Sequence, residues 1–299
     1  MNPGLAMPPS HKSGFVSLVG RPNSGKSTLL NEFVGSKVSI VTPSPQTTRN
    51  VVRGIAGDER GQIVFLDTPG IHKPLHRMNQ RMMRAALTAL EHVDLVLLIM
   101  DASVPRGRGD RFVLELVRKI PTKRFLLLNK IDTMRKEDLL PLIDHYQAEP
   151  FDAIVPISAL TGDGVPELLE ETFRVLPEGP AYYPGNELTD QPERFVVSEM
   201  IREKLILMTR QELPHATAVT IERFEEGGPV IRIHAGILVE RDSQKGIVIG
   251  RGGSMLKRIG TAARKDIEGL LNERVHLELH VKVRPKWRDD ERMLEALGM

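Results

Sequence analysis

Apolar and polar positions change rhythm partway along this 299-residue chain. From residue 15 to about 176, short aliphatic runs alternate with stretches whose apolar residues recur at helical spacing. Residues 15–19, 63–66, 95–100, 125–128 and 154–157 read as buried strands, and 77–92, 110–119, 136–146 and 165–176 as helices. Strands and helices in strict alternation predict right-handed crossovers. The expected product is a mostly parallel sheet with helices on both faces and a ligand at the carboxyl ends of the strands. Residues 177–193 carry four prolines and two glycines without periodicity, which is linker composition.

Beyond the linker the rhythm is different. Val197, Ile201, Leu205 and Met208 follow helical spacing, predicting a helix that ends near Pro214. Residues 218–224 and 230–239 read as two strands joined by a turn at 225–229. In the last strand Val275, Leu277, Leu279, Val281 and Val283 alternate with His276, Glu278, His280, Lys282 and Arg284, so one face is core and the other wet. The expected organisation is a flexible lead-in over 1–13, an α/β domain over 14–176, the linker, an α+β domain over 194–284 and a tail over 285–299.

Composition removes several kinds of chemistry. The chain has no cysteine, which excludes disulfides, thiolate metal sites and thiol nucleophiles, and directs any metal towards oxygen ligands. No apolar run approaches the ~18 residues of a membrane span, and residues 1–13 lack the regions of a signal peptide, so a soluble protein is expected. Net charge is only +2, so a charged partner has to be recognised by local charge.

Five stretches carry candidate chemistry. Gly20-Arg21-Pro22-Asn23-Ser24-Gly25-Lys26-Ser27 follows the first strand and opens a helix at Thr28, the setting in which backbone N–H groups and a helix N-terminus cradle nucleotide phosphates. Lys26 can reach the β and γ phosphates and Ser27 can ligate Mg²⁺. After the strand at 63–66 comes Asp67-Thr68-Pro69-Gly70, in which Asp67 can hold the metal through water and the Gly70 amide can sense a γ-phosphate. After the strand at 125–128 comes Asn129-Lys130-Ile131-Asp132, whose Asp132 carboxylate matches the paired N–H donors of guanine and leaves adenine unpaired. Lys130 would lie along the base, and Asn129 would brace the phosphate loop. Ser158-Ala159-Leu160 follows the next strand, with the Ala159 amide placed for guanine O6. Thr48, in Pro45-Gln46-Thr47-Thr48-Arg49, is the candidate second hydroxyl on Mg²⁺, preferred over Thr47.

In order and spacing these motifs resemble the translation-factor class of P-loop GTPases over residues 14–176, and the Gly-Arg-Pro-Asn-x-Gly-Lys-Ser form resembles the Era and TrmE group. The resemblance implies GTP/GDP and Mg²⁺ as ligands and Lys26, Thr48 and Gly70 as the groups that act on the γ-phosphate. Ile71 stands where Ras-like enzymes carry a water-orienting Gln, and Ile cannot orient water. The resemblance implies a substitute, a K⁺ ion held beside the phosphates with help from Asn23.

The second domain has its own signature. Between Ser243 and Lys265 lie six basic residues (Lys245, Arg251, Lys257, Arg258, Arg264 and Lys265) and no Asp or Glu. Ile249 leads into Gly250-Arg251-Gly252-Gly253, a GxxG loop opening a helix that runs towards Leu271. A loop without Cβ atoms flanked by cations lets a sugar-phosphate backbone approach. The order helix, strand, strand, GxxG helix, strand resembles a type II KH domain. GTPase and KH together resemble the bacterial Era family over about residues 14–288. That resemblance implies a GTP-hydrolysing switch, acting as a monomer, that binds the 3′ region of 16S ribosomal RNA and assists assembly of the 30S subunit; it also allows a peripheral membrane-associated pool. Two other functions compete with it: a timer for an RNA-modifying complex, for which no nucleophile or metal cluster is present, and a membrane or cell-cycle signalling GTPase, for which no lipidation motif is present.

Other residues read more plainly. The nine histidines show no metal-ligand grouping. Arg106 and Arg108 read as a solvated turn, Met78, Met82 and Met83 as core or interface, and Trp287 either stacks a base or pins the tail.

Overall fold

The computed structural model describes residues 11–299 apart from 73, 75 and 210–212; of the lead-in expected over 1–13, residues 1–10 lie outside the described residues, whereas Lys12 and Ser13 are not a flexible lead-in but already pair in the first strand, opposite Gly61 and Gln62. The chain forms two compact units. The first comprises the residues up to 38 together with 51–72 and 83–190; the second comprises 39–50, 73–82 and 191–299.

In the first unit the chain runs β1 (Lys12–Gly20), α1 (Lys26–Val34), β2 (Val52–Asp58), β3 (Gly61–Asp67), α2 (Arg77–Thr88), β4 (Leu95–Asp101), α3 (Arg108–Arg118), β5 (Lys123–Asn129), α4 (Lys136–Tyr146), β6 (Ala153–Ile157) and α5 (Val165–Val175), the first turns of α2 belonging to the second unit. The six-stranded sheet has the order β2-β3-β1-β4-β5-β6, parallel throughout except for β2 against β3. Its central strands are nearly continuous apolar runs because helices cover both faces. Leu95 to Ile99 and Phe125 to Leu128 are all at most 2% exposed.

The antiparallel edge strand β2 is absent from the reading of the sequence. Its segment Val-Arg-Gly-Ile-Ala-Gly-Asp holds two glycines and no sustained alternation. Gly54 is required by packing: a Cβ there would lie 2.5 Å from Leu30 and 2.8 Å from Val34, so its absence lets α1 settle on the sheet.

Residues 177–190 have linker composition but are bound to the first unit. The Ile55 amide donates to Leu188 O at 2.9 Å, and Thr189 Oγ1 donates to Arg53 O at 2.6 Å. The Gln62 side chain meets three backbone groups of Tyr182 and Tyr183, and Phe15 packs on Tyr182. This stretch covers the β2 edge, whose unpaired backbone groups would otherwise be open to another strand. The division between the units falls after Asp190.

The second unit contains α6 (Glu193–Met208), α7 (Leu213–Ala216), β7 (Ala218–Glu225), β8 (Ile231–Val239), α8 (Asp242–Ile249), α9 (Ser254–Leu271), β9 (Val275–Val283) and α10 (Glu291–Ala296). Its sheet has the order β7-β8-β9, with β8 and β9 parallel. The helix α8 is an addition to the expected order: Gly246 and a β-branched end, Ile247-Val248-Ile249, hide its helical character in the sequence. Helices α6 and α9 bury Val197, Ile201, Ile259, Ala263 and Ile267 against Ile233, Ala235 and Ile237. On the opposite face Leu238 and Ala218 meet Met78, Met82, Trp287 and Leu294. Trp287 is 1% exposed and its indole N–H donates to Ala216 O at 3.1 Å, so it pins the C-terminal tail and offers no face to a base.

Candidate functional site

The phosphate loop lies between β1 and α1, at the carboxyl end of the sheet. Its glycines are set by close approach: a Cβ on Gly20 would lie 2.4 Å from Ile99 O, and one on Gly25, at φ 102°, would lie 2.1 Å from Asn129 Nδ2. Lys26 is 5% exposed and its ammonium donates to Arg21 O at 2.9 Å and Gly20 O at 3.4 Å, so two loop carbonyls hold it at the cradle. Burial lowers its pKa from 10.5 to about 8, against the opposing pull of the Asp67 carboxylate. A cation that costs this much to keep desolvated is well matched to an incoming polyphosphate.

Ser27 and Asp67 meet directly, the hydroxyl donating to Asp67 Oδ2 at 2.6 Å. A hydroxyl and a fully buried carboxylate beside the cradle form a hard-oxygen pair that fits Mg²⁺, an ion that keeps several waters and takes few protein ligands. Thr68 Oγ1 donates to Leu18 O at 2.7 Å, fixing the segment after β3. Gly70 approaches so closely that a Cβ would lie 2.7 Å from Pro22 N, and the Ile71 amide donates to Gly20 O at 3.1 Å. The Ile71 side chain is 2% exposed, in a core with Val19, Val96 and Leu98, and serves packing. Asn23 is exposed, at φ 64°.

The base side is equally ordered. Buried Asn129 donates from Nδ2 to Ser24 O at 2.8 Å and accepts the Ala159 amide at Oδ1 at 2.9 Å, so one side chain ties the phosphate loop to the loop after β6. The Ala159 N–H assigned to guanine O6 is thus already engaged, and guanine would have to share it. Asp132 is exposed and its Oδ1 accepts the Ser158 hydroxyl at 2.6 Å, which orients the carboxylate and leaves its second oxygen available. Lys130, at φ 71°, pairs with Asp101 at 2.5 Å. Burial raises the Asp101 carboxyl, but hydrogen bonds from Lys130 and Ser103 outweigh it and leave the pKa below the usual range. Ile131 and Leu160 flank this side, Leu160 being 76% exposed.

Thr48 is not part of the first unit. Its segment, 39–50, belongs to the second unit, where Thr48 is 8% exposed. There Arg202 Nη2 donates to Thr47 O, and Glu203 Oε1 accepts the Val41 amide at 3.1 Å. Arg49 Nη1 donates to Thr217 O at 2.7 Å, and the guanidinium lies 5.7 Å from the centre of the Trp287 ring. Burial first, then the charges of Arg202 and Arg288, push the Arg49 pKa down to about 9 despite Glu199.

The GxxG loop projects between α8 and α9. Gly250, at φ 73°, cannot take a side chain, since a Cβ would lie 2.7 Å from Met255; Gly252 and Gly253 also have positive φ but open space where a Cβ would be. Arg251, Lys257 and Arg258 are exposed and Lys245 and Ile249 half-buried, so basic residues lie in the loop and on both sides of it along the chain. Arg264 and Lys265 are exposed about two turns further along α9. On the sheet face His234 and His276 contact Glu278, and His280 contacts Glu222; among the described residues no group of three or more His, Asp or Glu side chains is placed to hold a metal. Nor is any described helix long and apolar enough to cross a membrane.

With the phosphate cradle and the Ser27–Asp67 oxygen pair at the ends of one parallel sheet, and a GxxG loop in the other unit, the fold is that of a P-loop GTPase joined to a KH domain. Residues 15–130 match the family described as 50S ribosome-binding GTPase, and residues 212–288 match the KH domain. Among curated relatives, GTPase Era of Leuconostoc citreum is 49% identical over 291 residues, 96% of each chain, and that of Lacticaseibacillus paracasei 50% identical, over 96% of this chain and 97% of its own. A crystal structure of Era with MgGDPNP and nucleotides 1506–1542 of 16S ribosomal RNA superposes with a TM-score of 0.94 at 38% identity, over 96% of this chain and 99% of that one. An Aquifex aeolicus Era variant bound to GDP·AlF4⁻ gives 0.92 at 38% identity, over the same shares. The chain belongs to the Era family of GTPases.

Proposed function

We propose that this chain is a GTP-driven switch that binds the 3′ region of 16S ribosomal RNA through the Gly250–Gly253 face and assists maturation of the 30S subunit in the cytoplasm. The observation that carries the RNA reading is the exposed GxxG loop, flanked along the chain by cations, in a unit separate from the nucleotide cradle. The solved Era relative holding a 16S fragment supports that choice of RNA over the large-subunit RNA suggested by the GTPase family's description.

In the mechanism we infer, the loop amides and Lys26 orient the triphosphate, Asp132 selects guanine, and Lys26 meets the charge that develops as water attacks the γ-phosphorus in line. Ser27, Thr48 and Asp67 would hold Mg²⁺, which when bound would supply positive charge against the phosphate oxygens. Asn23 would support a K⁺ ion, which would supply positive charge beside the phosphates where no water-orienting glutamine stands. Segment 39–50 would exchange its bonds to Arg202, Glu203 and Thr217 for the nucleotide when Thr48 joins the metal's ligands, and would thereby report the nucleotide state to the RNA-binding unit. The test is sequencing of RNA crosslinked to the GTP-bound protein. Enrichment of the 16S 3′ region is expected, and enrichment of 23S RNA or of no rRNA would refute the proposal.

A further inference from the structure

Two carboxylates bracket the loop between β4 and α3, Asp101 as the last residue of β4 and Asp110 in the first turn of α3, and each touches a different half of the candidate nucleotide site. Asp101 closes β4 in register with Asn129. Its Oδ2 pairs with Lys130 Nζ at 2.5 Å, and its Oδ1 accepts from the Ser103 amide at 3.0 Å and the Ser103 hydroxyl at 2.5 Å. The carboxylate is therefore held from one side and holds the lysine on the other. At the far end Asp110, 9% exposed, accepts from Arg21 Nη1 at 2.9 Å and from the Gly107 amide at 2.8 Å. The Arg21 carbonyl in turn takes the Lys26 ammonium at 2.9 Å. Neither carboxylate belongs to the phosphate loop or to the 129–132 stretch.

We propose that residues 101–110 act as a strap that sets nucleotide handling, with Asp101 a positioning residue for the base through Lys130 and Asp110 a positioning residue for the phosphates through Arg21. The proposal rests on reading 129–132 as the guanine site and 20–27 as the phosphate loop. The physical reason is conformational entropy. A lysine stem has four rotatable bonds, and fixing them before the base arrives removes a cost that binding would otherwise carry. Arg21 sits in the loop whose carbonyl braces Lys26, so loosening it displaces the ammonium that must meet the γ-phosphate.

The two arms give different kinetic signatures. Asp101→Asn keeps the shape but removes the charge that fixes Lys130. It should weaken GDP and GTP alike by about tenfold through faster dissociation, with the loss in KM rather than kcat and no change in the ratio of GTP to XTP affinity, because Asp132 is untouched. Asp101→Glu, which restores the charge one methylene further out, should recover part of the loss. Asp110→Asn keeps an oxygen for the Gly107 amide but loses the ion pair, and should lower kcat at saturating GTP about fivefold. Folding is checked by near-UV circular dichroism and melting temperature, and the Asp101→Glu and Arg21→Gln variants stand in for an Asn variant that fails to fold. Nucleotide affinities within twofold of wild type in a folded Asp101 variant overturn the base arm, and an unchanged kcat in a folded Asp110 or Arg21 variant overturns the phosphate arm. An Asp132→Asn protein with unaltered base preference would instead remove the guanine-site reading on which the strap rests, a result separable from both.

Discussion

Nucleotide binding should take up a proton through Lys26. Burial lowers this ammonium to about 8 from 10.5. A triphosphate in the cradle supplies the counter-charge that burial removed, so the bound state restores a pKa well above 8. With a free-state value of 8, the neutral fraction of Lys26 is about one quarter at pH 7.5 and about three quarters at pH 8.5, which are the protons taken up per nucleotide bound. Affinity should accordingly fall about threefold over that interval. The same shift has a sign in stability. Between pH 8 and 10.5 the unfolded lysine is protonated and the folded one is not, so the unfolded state holds more protons and stability rises with pH. The destabilisation, about 3 kcal/mol at full strength, is complete below pH 8 and relieved as pH climbs to 10.5. Calorimetric titration with GDP at pH 7.5, 8.0 and 8.5, each in two buffers of different ionisation enthalpy, measures the proton count below the range where guanine's own N1–H titrates. A buffer-independent enthalpy at pH 8.5, in a protein that binds GDP, would refute the reasoning.

Three further outcomes are expected. Asp132→Asn should exchange guanine for xanthine preference, because an amide presents a donor where the base needs an acceptor; competition between GTP and XTP reads this directly. Turnover should rise when K⁺ replaces Na⁺, and the difference should vanish in Asn23→Ala; equal rates in both salts for the wild type would remove Asn23 from the mechanism. Asn129→Ala strands the buried Ser24 carbonyl and the Ala159 amide, so it should lower the stability of the first unit by about 2–4 kcal/mol and weaken all guanine nucleotides. Urea unfolding with and without GDP checks both parts.

The convergence of the candidate nucleotide-binding stretches was legible because each is marked by its immediate neighbours in the chain. Each of the stretches at 20–27, 67–70, 129–132 and 158–160 follows a strand whose apolar run marks it, and the parallel sheet brings those ends together whatever the remaining packing. The GxxG loop was legible for the same reason: missing Cβ atoms and clustered cations are properties of neighbouring residues. What stayed hidden depends on distant partners. The edge strand β2 owes its existence to β3 and to the Ile55 bond with Leu188, and its glycines read as a loop. Residues 177–190 look like a free linker because proline and glycine signal turns but not what the turns pack against. The second-unit allegiance of 39–50 is carried by Arg202 and Glu203, more than 150 residues away, and by Trp287, whose isolated position left its role open. Asp101 and Asp110 lie outside every recognised motif, and only the geometry connects them to Lys130 and Arg21.

The central claim, a GTP switch that holds RNA on a separate glycine-loop face, is tested most directly by Gly252→Asp. A Cβ at Gly252 meets nothing within 4 Å and its φ of 59° is a conformation that Asp tolerates, so the fold should survive; the same change at Gly250 would collide with Met255. The variant places a side chain and a negative charge where phosphates should lie. The measurement is affinity for a 16S 3′-end oligonucleotide across a salt series, with GTP affinity on the same preparation. Affinity should drop at least tenfold, and the slope of log affinity against log salt should flatten by about 0.7 for each phosphate that the variant no longer neutralises, while GTP binding stays near wild type. Unchanged RNA affinity and slope in a folded, GTP-binding variant would contradict the account.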